Sequence, residues 1–315
     1  MGGQRYDLLT SGYVSMDRMV KIKTPAKVGF TSLIENKSCA KIYYGGCSVN
    51  VAYALCKLGL QAMPLIRVGD DYKQTGFQDF LAGAGVPTDG VRRVSGETTS
   101  VCYLVQDQNG EHITLFYPGA MDKAYAAPWE DDYFKQARMG LITVGSRPDN
   151  QAFLEGCKKF ALPLAFGMKG DMDAFPVDFL RELLHYCQVI FTNQSEREAI
   201  EQMLSANLDD LLLQGSAKVI VTTLGKRGSR FCYLEDGVLK AGEVPICSGG
   251  PMVDATGSGD AYISGFLYGY LQNLSYRECA GLGTVLASFV IEKEGCCTGA
   301  PTLQQLRQRL DDFTF

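Results

Sequence analysis

Short apolar, β-prone runs alternate with amphipathic helical stretches along most of this 315-residue chain, and that alternation restricts the fold more than any other feature. Residues 6–14, 62–68, 140–144, 162–166, 189–192 and 219–223 read as buried strands. Residues 49–58, 76–84, 150–160, 177–186 and 195–204 carry helical patterns between them. Parallel neighbours need a crossover, and a right-handed crossover helix lands on a face of the sheet. The expected fold class is therefore α/β, a doubly wound, mostly parallel sheet flanked by helices. From Gly257 onward the chain is almost entirely helical. No internal repeat or low-complexity linker interrupts it, so residues 1–315 are expected to form a single domain.

Two regions break the alternation. Residues 21–44 contain strand-like pieces without a helix, and residues 100–117 read as a hairpin turning at Asn109-Gly110. Segments of about 15–44 and 97–118 are expected to form a small β-sheet projecting from the main body. Its natural role is a lid over a site at the strand ends.

The hydrophobic fraction of 46% and charged fraction of 21% are those of a globular protein with a sizeable core. A net charge of −5 argues against a nucleic-acid partner, which favours a basic face. There is no run of about 18 apolar residues to span a membrane. Met1 to Tyr6 carries no apolar signal core, so a cytoplasmic location is expected. The eleven cysteines include no Cys-x-x-Cys pair, and the adjacent Cys296 and Cys297 suit neither a zinc site nor an ordinary disulfide. They read as small apolar fillers in a reducing compartment, with a thiol switch as the alternative.

The stretch Asp254-Ala255-Thr256-Gly257-Ser258-Gly259-Asp260 carries the clearest chemistry. Two carboxylates flank a run of small residues, and an apolar helical segment follows at once. Small residues let backbone approach a ligand, and a helix beginning there aims unpaired N–H groups and its positive dipole end at an anion. Asp260 falls in the first turn. An anion cradle beside a carboxylate suits phosphoryl transfer to a hydroxyl.

Other constellations each admit a structural reading. Gly45-Gly46 entering a helix with Asn50 places donor and acceptor on a polar substrate such as a sugar, or is a turn needing positive φ. Asp17, after the first strand, binds two hydroxyls or is a solvated loop carboxylate. Asn193 and Glu196 orient waters around magnesium, or cap a helix. Thr223, Gly225 and Gly228 admit a nucleotide, with Lys226 or Arg227 meeting phosphate, or form a plain turn. Val68-Gly69-Asp70-Asp71 is a further turn.

Together, in this order and over nearly the whole chain, these segments resemble the PfkB, or ribokinase-like, kinase family. The resemblance rests on Gly45-Gly46 with Asn50, the Val68 to Asp71 turn, Asn193-x-x-Glu196, Thr223-Leu-Gly, and the Asp254 to Asp260 run, the family's signature. It implies a ribokinase-like sheet with a small β-sheet lid and ATP-dependent transfer of the γ-phosphoryl group to a sugar or nucleoside hydroxyl. Asp260 is then the catalytic base, and the amides of Ala255, Thr256, Gly257, Ser258 and Gly259 form the anion hole. Asp17, Gly45, Gly46 and Asn50 hold the acceptor. Asn193, Thr223, Gly225 and Gly228 lie at ATP, with Glu196 near Mg2+, directly or through water. Asp254 and Thr256 carbonyls are placed on a monovalent cation such as K+.

Phe116-Tyr117-Pro118-Gly119-Ala120-Met121 and residues 281–295 resemble the bacterial adenosine-kinase branch, which favours a nucleoside over a free sugar such as ribose or fructose, or a sugar phosphate. Tyr13, Tyr43, Tyr44, Tyr103, Phe116 and Tyr117 stack on a purine or pack the lid. Where many sugar kinases carry Asp-Pro-Asn-x-Arg, this chain reads Phe166-Gly167-Met168-Lys169-Gly170-Asp171. That departure leaves the role of Lys169 open, including binding a phosphate already on the acceptor. A ligand sensor on a kinase fold and a Rossmann oxidoreductase are the competing classes. The intact Asp260 and glycine run oppose the first, and the missing Gly-x-Gly-x-x-Gly opposes the second. The edge of the lid sheet is also a surface through which a homodimer can form.

Overall fold

The computed structural model describes residues 5–109, 112–169 and 174–315. Among them the strands are β1 (Leu8–Ser11), β2 (Ser15–Lys21), β3 (Tyr43–Gly45), β4 (Ala62–Val68), β5 (Val91–Arg93), β6 (Val101–Gln106) and β7 (His112–Tyr117). Then come β8 (Gly140–Ile142), β9 (Leu164–Gly167), β10 (Val189–Asn193), β11 (Val219–Thr223), β12 (Ser229–Glu235) and β13 (Val238–Val244). The helices are α1 (Cys47–Lys57), α2 (Phe77–Gly83), α3 (Asp131–Lys135), α4 (Arg147–Lys159) and α5 (Val177–Tyr186). They continue with α6 (Gln194–Leu204), α7 (Leu211–Gln214), α8 (Ser258–Leu271), α9 (Tyr276–Val290) and α10 (Leu303–Asp311).

The main sheet has nine strands in the order β13-β12-β11-β10-β9-β8-β1-β4-β5. Every pairing from β11 to β5 is parallel, and the β11–β12 and β12–β13 pairings are antiparallel. The order reverses around β1, which lies between β8 and β4. Ligands bind at the carboxyl ends of the strands at such a switch point. Side chains alternate between the two faces: Val189, Phe191, Val219 and Val221 join one buried cluster with residues of α1, α8 and α9. Ile190 and Ile220 join the opposite cluster with residues of α4 and α5. Because both faces are covered, the strands read as continuous apolar runs.

The expected small second sheet is present, in the order β3-β2-β6-β7. Its β2–β6 pairing is parallel and the other two are antiparallel. Gly110, of the expected Asn109-Gly110 turn, lies outside the described residues.

Several boundaries differ from expectation. The first strand, expected over 6–14, is only Leu8–Ser11. The chain leaves the main sheet at Gly12 (φ 150°), where a Cβ would lie 2.0 Å from Thr143 Oγ1, and β2 then enters the second sheet. Between Lys21 and Tyr43 the chain makes one bridge, Ile22 to Ile34, and a 3-10 turn, residues 37–40, rather than further strands. The β12–β13 hairpin was not anticipated; its outer strand is mostly exposed and lacks the buried apolar run that marks the central strands.

Candidate active site

The carboxylates at the two ends of the small-residue run do different work. Asp254 shapes the bend: its Oδ1 accepts from the Thr256 N–H (2.9 Å) and hydroxyl (2.6 Å), and its Oδ2 from the Gly295 N–H (3.0 Å). Gly257 caps α8 with φ 78°, and a Cβ there would meet Cys296 at 2.7 Å. Among the described residues Gly259 instead faces open space, with only Lys169 Nζ within 4.0 Å of a built Cβ. Of the five amides expected to face an anion, Ser258 donates to Ala255 O and Thr256 to Asp254. Those of Ala255, Gly257 and Gly259, and the amide of Asp260 after them, have no acceptor among the described residues, so the helix end carries its unpaired donors there.

Asp260 occupies the third position of α8 and is 2% exposed. Its Oδ2 accepts from Asn50 Nδ2 at 2.7 Å. Its Oδ1 is buried with no hydrogen bond among the described residues, and the Lys169 ammonium lies 3.6 Å away. Asn50 is delivered by α1, whose cap is Gly46 at φ 94°. A Cβ on Gly46 would stand 2.2 Å from Tyr13 O, so the turn requires glycine and holds α1 against the residues that follow β1. A Cβ on Gly45 would sit 2.9 Å from Asn50 Oδ1 and 3.4 Å from Asp17 Oδ2, so these three residues share one spot. Asp17, from β2, is buried rather than solvated and accepts from Ser15 Oγ at 2.5 Å. Burial pushes its carboxyl up to about 6; the Ser15 hydrogen bond opposes this, and the negative charges of Asp260 and Asp254 add to it.

On the other side of the bend, Asn193 and Glu196 form a capping box on α6. Asn193 Oδ1 accepts from the Glu196 N–H at 2.8 Å and Glu196 Oε2 from the Asn193 N–H at 2.7 Å. Glu196 Oε1 has no bond among the described residues, and burial raises the Glu196 carboxyl above its ordinary value. A cavity of about 210 Å³ is lined by Lys169, Asn193, Glu196, Thr223, Gly259 and Asp260. A second, of about 550 Å³, runs along the small sheet past Met19, Leu104 and Val253 to the same bend. Lys169, Ser258 and Gly259 belong to both walls. A third cavity, about 750 Å³, lies among Arg138, Gln188, Lys218 and Tyr276 at the opposite strand ends and contains none of these groups.

Thr223 reaches the smaller cavity, but Gly225 and Gly228 line neither. A Cβ on Gly228 (φ 92°) would stand 2.1 Å from Val244 O, so this glycine serves the approach of two chain segments. Arg227 donates to Gln194 at 2.8 Å. Among the aromatics, Tyr43 donates to Glu294 (2.7 Å), and Tyr44 donates to Thr75 O and stacks on Phe77. Tyr13 packs on Phe116 at 4.8 Å. The apolar cavity wall comes instead from Met19, Leu104, Met252 and Val253. Sequence reasoning missed these because alternation in a strand shows two faces and not which of them meets a cleft. All eleven cysteines are free, and most are buried as expected. Cys297 also donates to Asn50 Oδ1 at 3.3 Å.

A buried carboxylate at a helix N-terminus, with unpaired amides beside it and a cavity on either side, defines a phosphotransferase acting on an alcohol group. The chain belongs to the pfkB family carbohydrate kinases, whose model matches residues 11–303, and it is a kinase of a sugar or nucleoside hydroxyl. It is 27% identical over 314 residues to a nucleoside kinase of Methanocaldococcus jannaschii, covering 99% of each chain. The crystal structure of Methanocaldococcus jannaschii nucleoside kinase, an archaeal member of the ribokinase family, superposes with a TM-score of 0.85 at 26% identity, covering 99% of this chain and 100% of that one. Arabidopsis thaliana ribokinase, complexed with ribose and ATP, has the same fold at a TM-score of 0.80 and 23% identity, with 98% and 99% covered.

Proposed function

We propose that this protein transfers the γ-phosphoryl group of ATP to a hydroxyl of a nucleoside. The observation that carries this reading is Asp260, held by Asn50 at 2.7 Å on the wall of the smaller cavity, next to the Ser258 and Gly259 that both cavities share. The acceptor hydroxyl gives its proton to the Asp260 carboxylate as its oxygen bonds to the γ-phosphorus. The bond from that phosphorus to the β,γ-bridging oxygen breaks, and ADP leaves with the electron pair. The unpaired amides of Gly257, Gly259 and Asp260 meet the charge on the migrating group, and donors of this kind contribute roughly 2.7–4 kcal/mol each. Positioning supplies much of the remainder.

The cavity beside Asn193, Glu196 and Thr223 takes the nucleotide phosphates. Glu196 Oε1 faces that space with no competing bond, which suits a water of a hydrated Mg2+, and the ion would supply charge neutralisation on the phosphates. The carbonyls of Asp254 and Thr256 are candidate ligands for a monovalent cation such as K+. Asp17 and Asn50 hold the acceptor's hydroxyls. A wall of Met19, Leu104, Met252 and Val253 suits a flat base better than a free sugar, and about 550 Å³ accommodates a nucleoside. The relation to a protein named nucleoside kinase points the same way.

The second sheet acts as the lid, and its exposed Tyr103, Ile113, Leu115 and Tyr117 are the surface for a homodimer. Sedimentation at micromolar concentration is expected to give twice the chain mass; a monomer there removes that role. The function is tested by ADP release with ATP, Mg2+ and a panel of nucleosides, free sugars and their phosphates. The highest kcat/KM is expected for a nucleoside. A higher value for ribose or a hexose would transfer the assignment to a free-sugar kinase.

A further inference from the structure

Lys169 stands where β9 ends, and the two cavities that meet at the anion loop share it as a wall. Its Nζ is 3.6 Å from Asp260 Oδ1, an oxygen that is otherwise buried without a hydrogen bond among the described residues. It is also the nearest group, at 4.0 Å, to the open side of Gly259. Asp260 already has a good partner in Asn50, so the ammonium is not needed to satisfy the whole carboxylate. At 3.6 Å the contact is an ion pair beyond normal hydrogen-bond length, and the lysine side chain is 38% exposed toward the cleft. These are the properties of a cation resting beside the base with room to move.

Resting on the kinase reading above, we propose that Lys169 is a catalytic cation that sits on Asp260 in the empty enzyme and shifts to the equatorial oxygens of the migrating phosphoryl group once both substrates bind. Its position argues against the alternative of gripping a phosphate already on the acceptor. A group next to the base is next to the reacting hydroxyl, whereas an existing phosphate sits elsewhere on the acceptor. As Asp260 takes the hydroxyl proton and loses its charge, its hold on the ammonium falls while negative charge builds on the phosphoryl oxygens. The lysine therefore moves toward charge at the moment it develops, which is interaction specific to the transition state. The Asp260 carboxylate raises the Lys169 ammonium well above its ordinary value, so it stays charged throughout.

The groups facing the pair are Cys47 from α1, Asp17 from β2, Glu196 from α6, and Cys296 and Cys297 beyond α9. The thiols are pushed up by burial and remain neutral, so Lys169 is the cation beside Asp260 among the described residues. The test is Lys169→Met against wild type, using the best acceptor of the panel, with kcat and acceptor KM. The expected result is a fall of at least 100-fold in kcat with acceptor KM within about threefold. Lys169→Arg should recover at least tenfold of that loss. Circular dichroism and the thermal midpoint establish that the variant is folded. If Lys169→Met keeps kcat within threefold, the proposal is overturned. Loss confined to phosphorylated acceptors overturns it in favour of acceptor-phosphate binding. Absence of turnover by the wild type with every acceptor would instead refute the kinase reading, so the two failures are distinguishable.

Discussion

Asp17 shows how a site residue works against its own fold. It is buried, its carboxyl is pushed up to about 6, and it is the group proposed to grip the acceptor. The unfolded chain binds that proton near 3.8, so between 3.8 and about 6 the native state holds more protons. The Asp17 contribution to stability therefore falls as pH rises through that window, and above it the empty protein carries a buried carboxylate. Asp17→Asn is expected to stabilise the empty protein at pH 7 by up to about 3 kcal/mol, seen as a higher thermal midpoint, and to weaken acceptor binding. For the wild type, acceptor KM should rise about tenfold per pH unit below 6, once Asp17 is protonated. Differential scanning calorimetry and a KM–pH profile check both. This burial was not legible in the sequence, where a carboxylate after a strand reads equally as solvated. Asp260 was legible because its glycine-rich helix start is a local signal. The structural demand on Gly228 was not legible, because the Val244 carbonyl that requires a glycine there is distant in sequence.

At the scale of elements, the central parallel strands and long helices were read from local periodicity. The pieces that were missed are held by partners remote in sequence. Arg67 is the clearest such partner. It comes from the buried strand β4, and it donates from Nε to Ala120 O (2.8 Å) and from Nη2 to Asp122 O (3.2 Å). Both Nη atoms also donate to Asp149 on α4, which accepts from Ser146 Oγ. One guanidinium thus ties the segment that leaves β7 to a helix of the main body. The apolar run around Arg67 gave no hint of this. Arg67→Met leaves Asp149 buried without a counter-charge and should cost about 3–5 kcal/mol. Urea unfolding checks it, and a loss below 1 kcal/mol would mean that water reaches the freed carboxylate.

For the whole molecule, the alternation of strand and helix dictates a doubly wound sheet, and the reversal of strand order around β1 dictates where its crevice lies. The second sheet stands beside that crevice because the chain leaves the main sheet at Gly12 and returns through Gly46 into α1, so Asp17 and Asn50, the proposed acceptor residues, flank the excursion. The proposed nucleotide side is built by β10, β11 and α6, much further along the chain, and the Gly257 bend joins the two halves. Lys169 bridges them, but its place after β9 did not distinguish a cleft residue from a loop cation until the fold brought it to Asp260. The division of labour across the bend is tested most directly by Asp260→Asn, which keeps the shape of the site and removes the base. Turnover should fall at least 100-fold, while the dissociation constant for an ATP analogue, measured by calorimetry, stays within threefold of wild type. Turnover equal to wild type in a variant that binds the analogue normally would contradict the assignment of Asp260 as the base.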